Sequence, residues 1–234
     1  MYLNERLECR RRLVNPQLRR FTSGRPGIIA RVSDEARRKI LLAAERLFAE
    51  RGVEHVSLRQ IGEQAGQKNN SAVQYHFRDK SGLIQALYDL RLLPLNAERH
   101  RMLAELDHPG MADLAGAYVL PLARSVIASN GRSCYARFLD RYLGRGRDFE
   151  SFDDRHGSGS REVVRQMSAL MSGLNPEVRE ERLRMMQVLT IRTLADLEHR
   201  LETGQADPDA AELTVAALVE AVGVLLGAPT AVAV

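Results

Sequence analysis

The sequence predicts an all-α protein in two parts, a small three-helix unit followed by a larger helical body. Three observations carry that expectation. Apolar residues recur at three- and four-residue steps from Ile40 to Leu226, and no alternating run bounded by turn residues interrupts them. Glycine and proline fall between these stripes, where helices stop. Alanine, leucine, arginine and glutamate dominate, and all four favour helix.

With 234 residues, 44% hydrophobic and 27% charged, the chain can bury a core, which sets aside wholly disordered and collagen-like classes. Cys9 and Cys134 do not make a disulfide framework, and no CxxC or paired-histidine spacing offers a metal site. The opening MYLNERLECRRR lacks an apolar stretch, so no signal peptide is read and a reducing, cytoplasmic location is expected. The net charge of +4 is uneven. Residues 1–32 hold eight arginines against two glutamates, whereas residues 83–234 are net acidic. A basic front suggests a polyanion-binding end, the alternative being a solvated tail.

Residues 1–32, punctuated by Asn15-Pro16 and Ser23-Gly24-Arg25-Pro26-Gly27, read as a basic flexible arm. Ser33 is the expected cap of the first helix, with Ile40, Leu41, Ala44, Leu47 and Phe48 on its apolar face and Gly52 at its end. Ser57 and Gln60 have the spacing of a capping box for a short second helix closed by Gly66. A polar run, Gln67 to Ser71, leads into the short segment Ala72–Phe77. A long stripe from Lys80 is expected to break at Pro94 and resume over Leu95–Leu106. Further helices are expected over Met111–Ser129, Ser133–Leu143, Ser160–Met171, Pro176–Leu201 and Pro208–Leu226, with a polar loop over Gly144–Gly159.

The unit from Ser33 to Phe77 has the design of a helix-turn-helix. One helix braces on the DNA backbone and the next lays its first side chains in the major groove, where Asn, Gln, Ser and Lys meet base edges. In order and spacing, three stretches resemble the TetR family of transcriptional regulators: Ala43-Ala44-Glu45-Arg46-Leu47-Phe48-Ala49-Glu50-Arg51-Gly52, then Val56-Ser57-Leu58-Arg59-Gln60-Ile61 with Ala65-Gly66, then Val73-Gln74-Tyr75-His76-Phe77 with Lys80-Ser81-Gly82-Leu83. The turn departs from the family pattern. Gln67 stands where an apolar residue is usual, and the turn is one residue longer.

The resemblance implies an all-α regulator with a helix-turn-helix DNA-binding domain at 33–79, a ligand-binding and dimerisation domain at 80–228, and a tail at 229–234. It implies a repressor on a palindromic operator in double-stranded DNA, released by a small-molecule effector, with no catalytic role, no cofactor and no membrane. Physical roles agree with it. Asn70, Ser71 and Gln74 are candidates for base edges, with Asn69 beside them. Tyr75 and His76 are placed to donate to phosphate, and Lys80 lies at a helix N-terminus that attracts it. Ser57, Arg59 and Lys68 are candidates for the other backbone strand. Tyr75 or His76 could instead pack and cap.

In the body, Met102, Leu103, Tyr118, Leu122, Tyr135, Phe138, Met167, Met171, Met185 and Met186 form a deformable set, either plain core or the lining of an effector pocket. Arg137, Arg141 and Arg192 either pair with an acidic ligand group or lie at the surface. Residues 176–226 are the expected homodimer surface, closing as a four-helix bundle. Leu213–Val234 is apolar enough to suggest a membrane span, but Glu220 and Pro229 favour a partner helix. A rival reading is a helical metal-dependent enzyme using Asp148, Glu150, Asp153, Asp154 and His156, against a plain solvated loop.

Overall fold

In the computed structural model, residues 26–67, 71–143 and 154–229 are described, and the side chains of 26–32 and 154–155 are not. The described residues form nine helices and no strand. The first three are α1 (Pro26–Arg51), α2 (Leu58–Gln64) and α3 (Ala72–Phe77). The body comprises α4 (Lys80–Ala104), α5 (Met111–Ser129), α6 (Tyr135–Leu143), α7 (Asp154–Leu170), α8 (Pro176–Glu202) and α9 (Pro208–Gly227).

Several boundaries differ from expectation. Helix α1 starts at Pro26, so Ser33 lies inside it and 26–32 are helical rather than arm. Proline suits a first helical turn, where no N–H is needed. Helix α4 runs unbroken through Pro94. The missing backbone bond is outweighed by Leu92 and Leu95, which are both buried and hold the turns on either side. Helix α7 begins at Asp154, so Gly157-Ser158-Gly159-Ser160 is helical rather than a connector. Gly159 allows this: a Cβ there would meet the α4 backbone at Asn96 Cα at 2.9 Å.

One core joins the helix-turn-helix to the body. Phe138 on α6 lies 6.0 Å from Phe48 of α1 and 6.4 Å from Tyr88 of α4. It stacks on Tyr142 at 5.3 Å. Around this centre α4 packs on α7, α6 on α8, and α9 on both α5 and α8. Among the described helices, α5 and α9 are long and apolar enough to cross a bilayer. Helix α5 is enclosed by α4, α7, α8 and α9. Helix α9 buries Ala211, Val215, Leu218, Val222 and Leu226 but leaves Leu213 and Val224 exposed.

Candidate nucleic-acid interface

Helix α2 starts as its sequence demands. Ser57 Oγ accepts from the Gln60 N–H at 3.2 Å, and the Ser57 N–H donates to Gln60 Oε1 at 2.8 Å. This capping box fixes the helix start. It also occupies the Ser57 hydroxyl, which donates to Gln60 Oε1 at 2.9 Å. Gly66 adopts φ +69°, the left-handed turn that ends α2 and that a side chain would strain. Gly62 lets α3 come close, since a Cβ there would stand 3.3 Å from Val73 Cγ2.

Helix α3 is anchored by buried Val73 and Phe77. That fixes its opposite face outward, so Ser71, Gln74 and Tyr75 are all exposed, Tyr75 at 84%. A large phenol so exposed contributes almost nothing to the core, which makes it available to a partner. His76 is half-buried and meets the Tyr75 ring edge-on at 5.2 Å. The carbonyl of Ser71 accepts the first helical bond from Tyr75, but its hydroxyl does not cap the helix. Lys68, Asn69 and Asn70, the other candidates in the turn, lie outside the described residues.

The end of α3 holds a feature that periodicity cannot reveal. Arg78 has φ +66°, an unfavourable conformation for a residue with a Cβ, and its side chain is exposed. Asp79 then caps α4, its Oδ1 accepting from Gly82 N–H at 2.7 Å. A Cβ on Gly82 would collide with the Phe77 carbonyl, so glycine permits this turn. Lys80 sits in the first turn of α4, and its Nζ donates to the Val53 carbonyl at 2.9 Å. One of its three donors is thereby used and the ammonium is held in place. On α2, Arg59 is exposed and pairs with Glu63 at 2.9 Å.

The structure thus brings Ser71, Gln74, Tyr75, Arg78 and Lys80 together on and just beyond α3, with Arg59 on α2. Arg78 escaped the sequence reading, although a base directly after the Tyr-His-Phe ending was a visible signal.

The proposed pocket residues scatter. Leu122, Tyr135, Phe138, Met167, Met171 and Met186 are buried, Met102, Leu103 and Tyr118 are partly buried, and Met185 is 44% exposed. Tyr118 and Met186 line a cavity of about 370 Å³ bounded by α5, α7 and α8. Phe138 lines a second, of about 220 Å³, between the end of α1 and α6. The three arginines considered for an acidic ligand all have protein partners. Arg137 pairs with Glu202 at 2.7 Å and Arg192 with Asp140 at 2.8 Å. Arg141 donates to the carbonyls of Ala49 and Glu50 at the end of α1.

At the end of the acid-rich segment one residue departs from the solvated-loop reading. His156 is buried, and its Nε2 lies 2.7 Å from Asp89 Oδ1 of α4. Among the described residues no group of three His, Cys, Asp or Glu side chains could hold a metal ion. Asp148, Glu150 and Asp153, and the side chain of Asp154, lie outside the described residues.

Residues 40–87 match the family model of the bacterial regulatory proteins of the tetR family. The HTH-type transcriptional repressor BepR of Brucella suis biovar 1 (strain 1330) is 39% identical over 75 residues, 32% of this chain and 35% of that protein. The HTH-type transcriptional regulator TtgR of Pseudomonas putida is 44% identical over 57 residues, 24% of this chain and 27% of that protein. The chain thus matches about a third of the length of these relatives. The crystal structure of native NalD, the secondary repressor of the MexAB-OprM multidrug efflux pump in Pseudomonas aeruginosa, aligns with 25% identity and a TM-score of 0.45 over 81% of this chain and 96% of that one.

Proposed function

We propose that this chain, whose residues 40–87 match the tetR family model, is a sequence-specific transcriptional repressor released from its operator by a small molecule. The observation that carries the reading is the outward face of α3, where Gln74 and Tyr75 stand exposed while Val73 and Phe77 anchor the helix from behind. A short helix held this way can lie in a major groove without unfolding anything. Gln74, with Ser71, Asn69 and Asn70, reads bases, and Lys68 faces phosphate. Tyr75, His76, Arg78, Lys80, Arg59 and the Ser57 end of α2 face phosphates.

A pair of such helices reads a palindrome, so the reading requires a homodimer through 176–226. The exposed apolar side chains Met185, Val188 and Leu189 on α8, with Leu213 and Val224 on α9, support that surface. The protein acts as a non-enzymatic regulator in the cytoplasm. The effector need only favour a conformer in which the two α3 helices no longer match successive grooves.

Selection of bound fragments from genomic DNA with the full chain tests this directly. Enrichment of one palindromic sequence is expected, with half-sites about 10 bp apart or a multiple of it. Binding that is indifferent to sequence would refute a sequence-specific regulator.

A further inference from the structure

One buried charge in the body has no counter-charge among the described residues. Arg99 on α4 is 6% exposed. Its guanidinium donates to Asn96 Oδ1 at 3.2 Å and to the Tyr118 carbonyl at 3.3 Å, and its Nε has no partner. Among the described residues no carboxylate lies within ion-pair distance of it. Arginine does not relieve burial by losing its proton, so an isolated guanidinium in the core is costly unless an anion comes to it. Burial lowers its pKa, while the phenols of Tyr118 and Tyr135 lie close enough to act against that. The Tyr135 hydroxyl is itself buried without a partner.

The cavity of about 370 Å³ is lined not by Arg99 itself but by Tyr118, which Arg99 contacts. Its size falls within the range of small-molecule sites, roughly 300–1,000 Å³. Tyr118 is the shared wall: it lines the cavity, and the Arg99 Cζ stands 5.8 Å from its ring centroid. Val164, Leu183 and Met186 supply apolar surface, and Ser160 a hydroxyl. Arg161, Glu180 and Arg184 complete the lining, and Arg184 is already paired with Glu181, its Nε 2.8 Å from Oε2. Asn96 connects the charge to the neighbouring helix, donating from Nδ2 to the His156 carbonyl of α7 at 2.6 Å.

We propose that this cavity takes a small organic monocarboxylate, whose acid group turns past Tyr118 to pair with Arg99 while its apolar part rests on Val164, Leu183 and Met186. The inference rests on the effector-responsive reading above and names the chemistry of that effector.

Thermal unfolding of the full chain, free of DNA, tests it. The probes are benzoate, phenylacetate and hexanoate at millimolar concentration, each beside its amide, with sodium chloride and phosphate as inorganic controls. At ten times the dissociation constant an acid should raise Tm by about 3 °C, with no comparable shift from its amide or from the salts. Arg99→Met should abolish the shift while leaving the ligand-free Tm equal or higher. Should that variant not fold, Leu183→Trp, which fills the cavity and keeps Arg99, should abolish it instead. Equal shifts from acid and amide, an equal shift from chloride or phosphate, no shift with any acid, or an undiminished shift in the folded variant would each overturn the proposal. Binding to selected DNA in ligand-free buffer, measured on the same preparation, separates the two readings. DNA binding without an acid response removes only the monocarboxylate. An acid response without DNA binding removes the regulator.

Discussion

Glu45 of α1 and Arg91 of α4 form a two-pronged ion pair, with Nε and Nη2 of the arginine 2.7 and 2.8 Å from the two carboxylate oxygens. Glu45 is 2% exposed and also accepts the backbone N–H of Cys134 at 2.9 Å, just ahead of α6. From α8, the buried Glu198 accepts the N–H groups of Ala136 and Arg137 at 3.3 and 3.1 Å. The start of α6 is therefore satisfied by carboxylates from two distant helices. The first of them belongs to the helix that supports the DNA-binding unit.

Replacing Glu45 by alanine should cost about 3–5 kcal/mol, because Arg91 would keep a partly buried charge without its partner. Arg91→Met alone should cost a similar amount. The double variant should recover much of the loss, a coupling that urea unfolding of all four proteins would measure. Strict additivity would show that the two side chains do not act as a pair.

On α3 the two exposed side chains should separate cleanly. Tyr75→Ala should leave Tm nearly unchanged, weaken binding to every sequence and lower the slope of log affinity against log salt by about one contact. Gln74→Ala should instead relax preference at one base position, by about 1–3 kcal/mol. Salt titrations on the selected operator and its single-base variants distinguish the two. Full base preference in the Gln74 variant would mean that another residue reads that position.

Leu213 and Val224 are 72% and 64% exposed, so Leu213→Glu with Val224→Glu should not disturb the core of a single chain. In a homodimer through α8 and α9 they should split it, lowering the sedimenting mass at micromolar concentration and weakening operator binding together. A dimer that persists unchanged would place the interface elsewhere.

Burial is the largest influence on Glu198 and holds its carboxyl above the ordinary value of 4.5, although two backbone N–H groups and Arg137 pull the other way. The folded chain then binds this proton more tightly than the unfolded chain does. The resulting stability is present in full below about pH 4.5 and is lost as pH rises through the folded value. Glu198→Gln, which stays neutral, should not share that loss. The stability gap between variant and parent, followed by urea unfolding from pH 4.5 upward, should therefore shift in favour of glutamine as pH rises.

The basic arm bears on affinity rather than on operator choice. Removing residues 1–25, which carry seven of the eight arginines of the first 32 positions, should weaken operator binding at low salt and less so at high salt, with the preferred sequence unchanged. Gel-shift titrations at two salt concentrations check this. Equal affinity at both would show that the arm is not a DNA ligand.

By itself the sequence determined what depends on near neighbours. The capping box of Ser57 and Gln60, the left-handed turns at Gly52 and Gly66, the body helices and the outward face of Gln74 and Tyr75 are all written within a few residues, because helical spacing and caps are local. Tertiary structure decided what depends on partners far along the chain. Pro94 stays inside α4 because neighbouring packing outweighs one lost bond. His156 turns inward because Asp89 and the Asn96 side chain wait for it on α4. A charge on an apolar stripe marks Glu45 and Arg99 alike, and the sequence does not say which has a counter-charge. Glu45 meets Arg91 and the start of α6, whereas Arg99 meets an amide, a carbonyl and two phenols beside a cavity. Ion pairing is a matter of a few ångströms between helices, and helical periodicity carries no information about that distance.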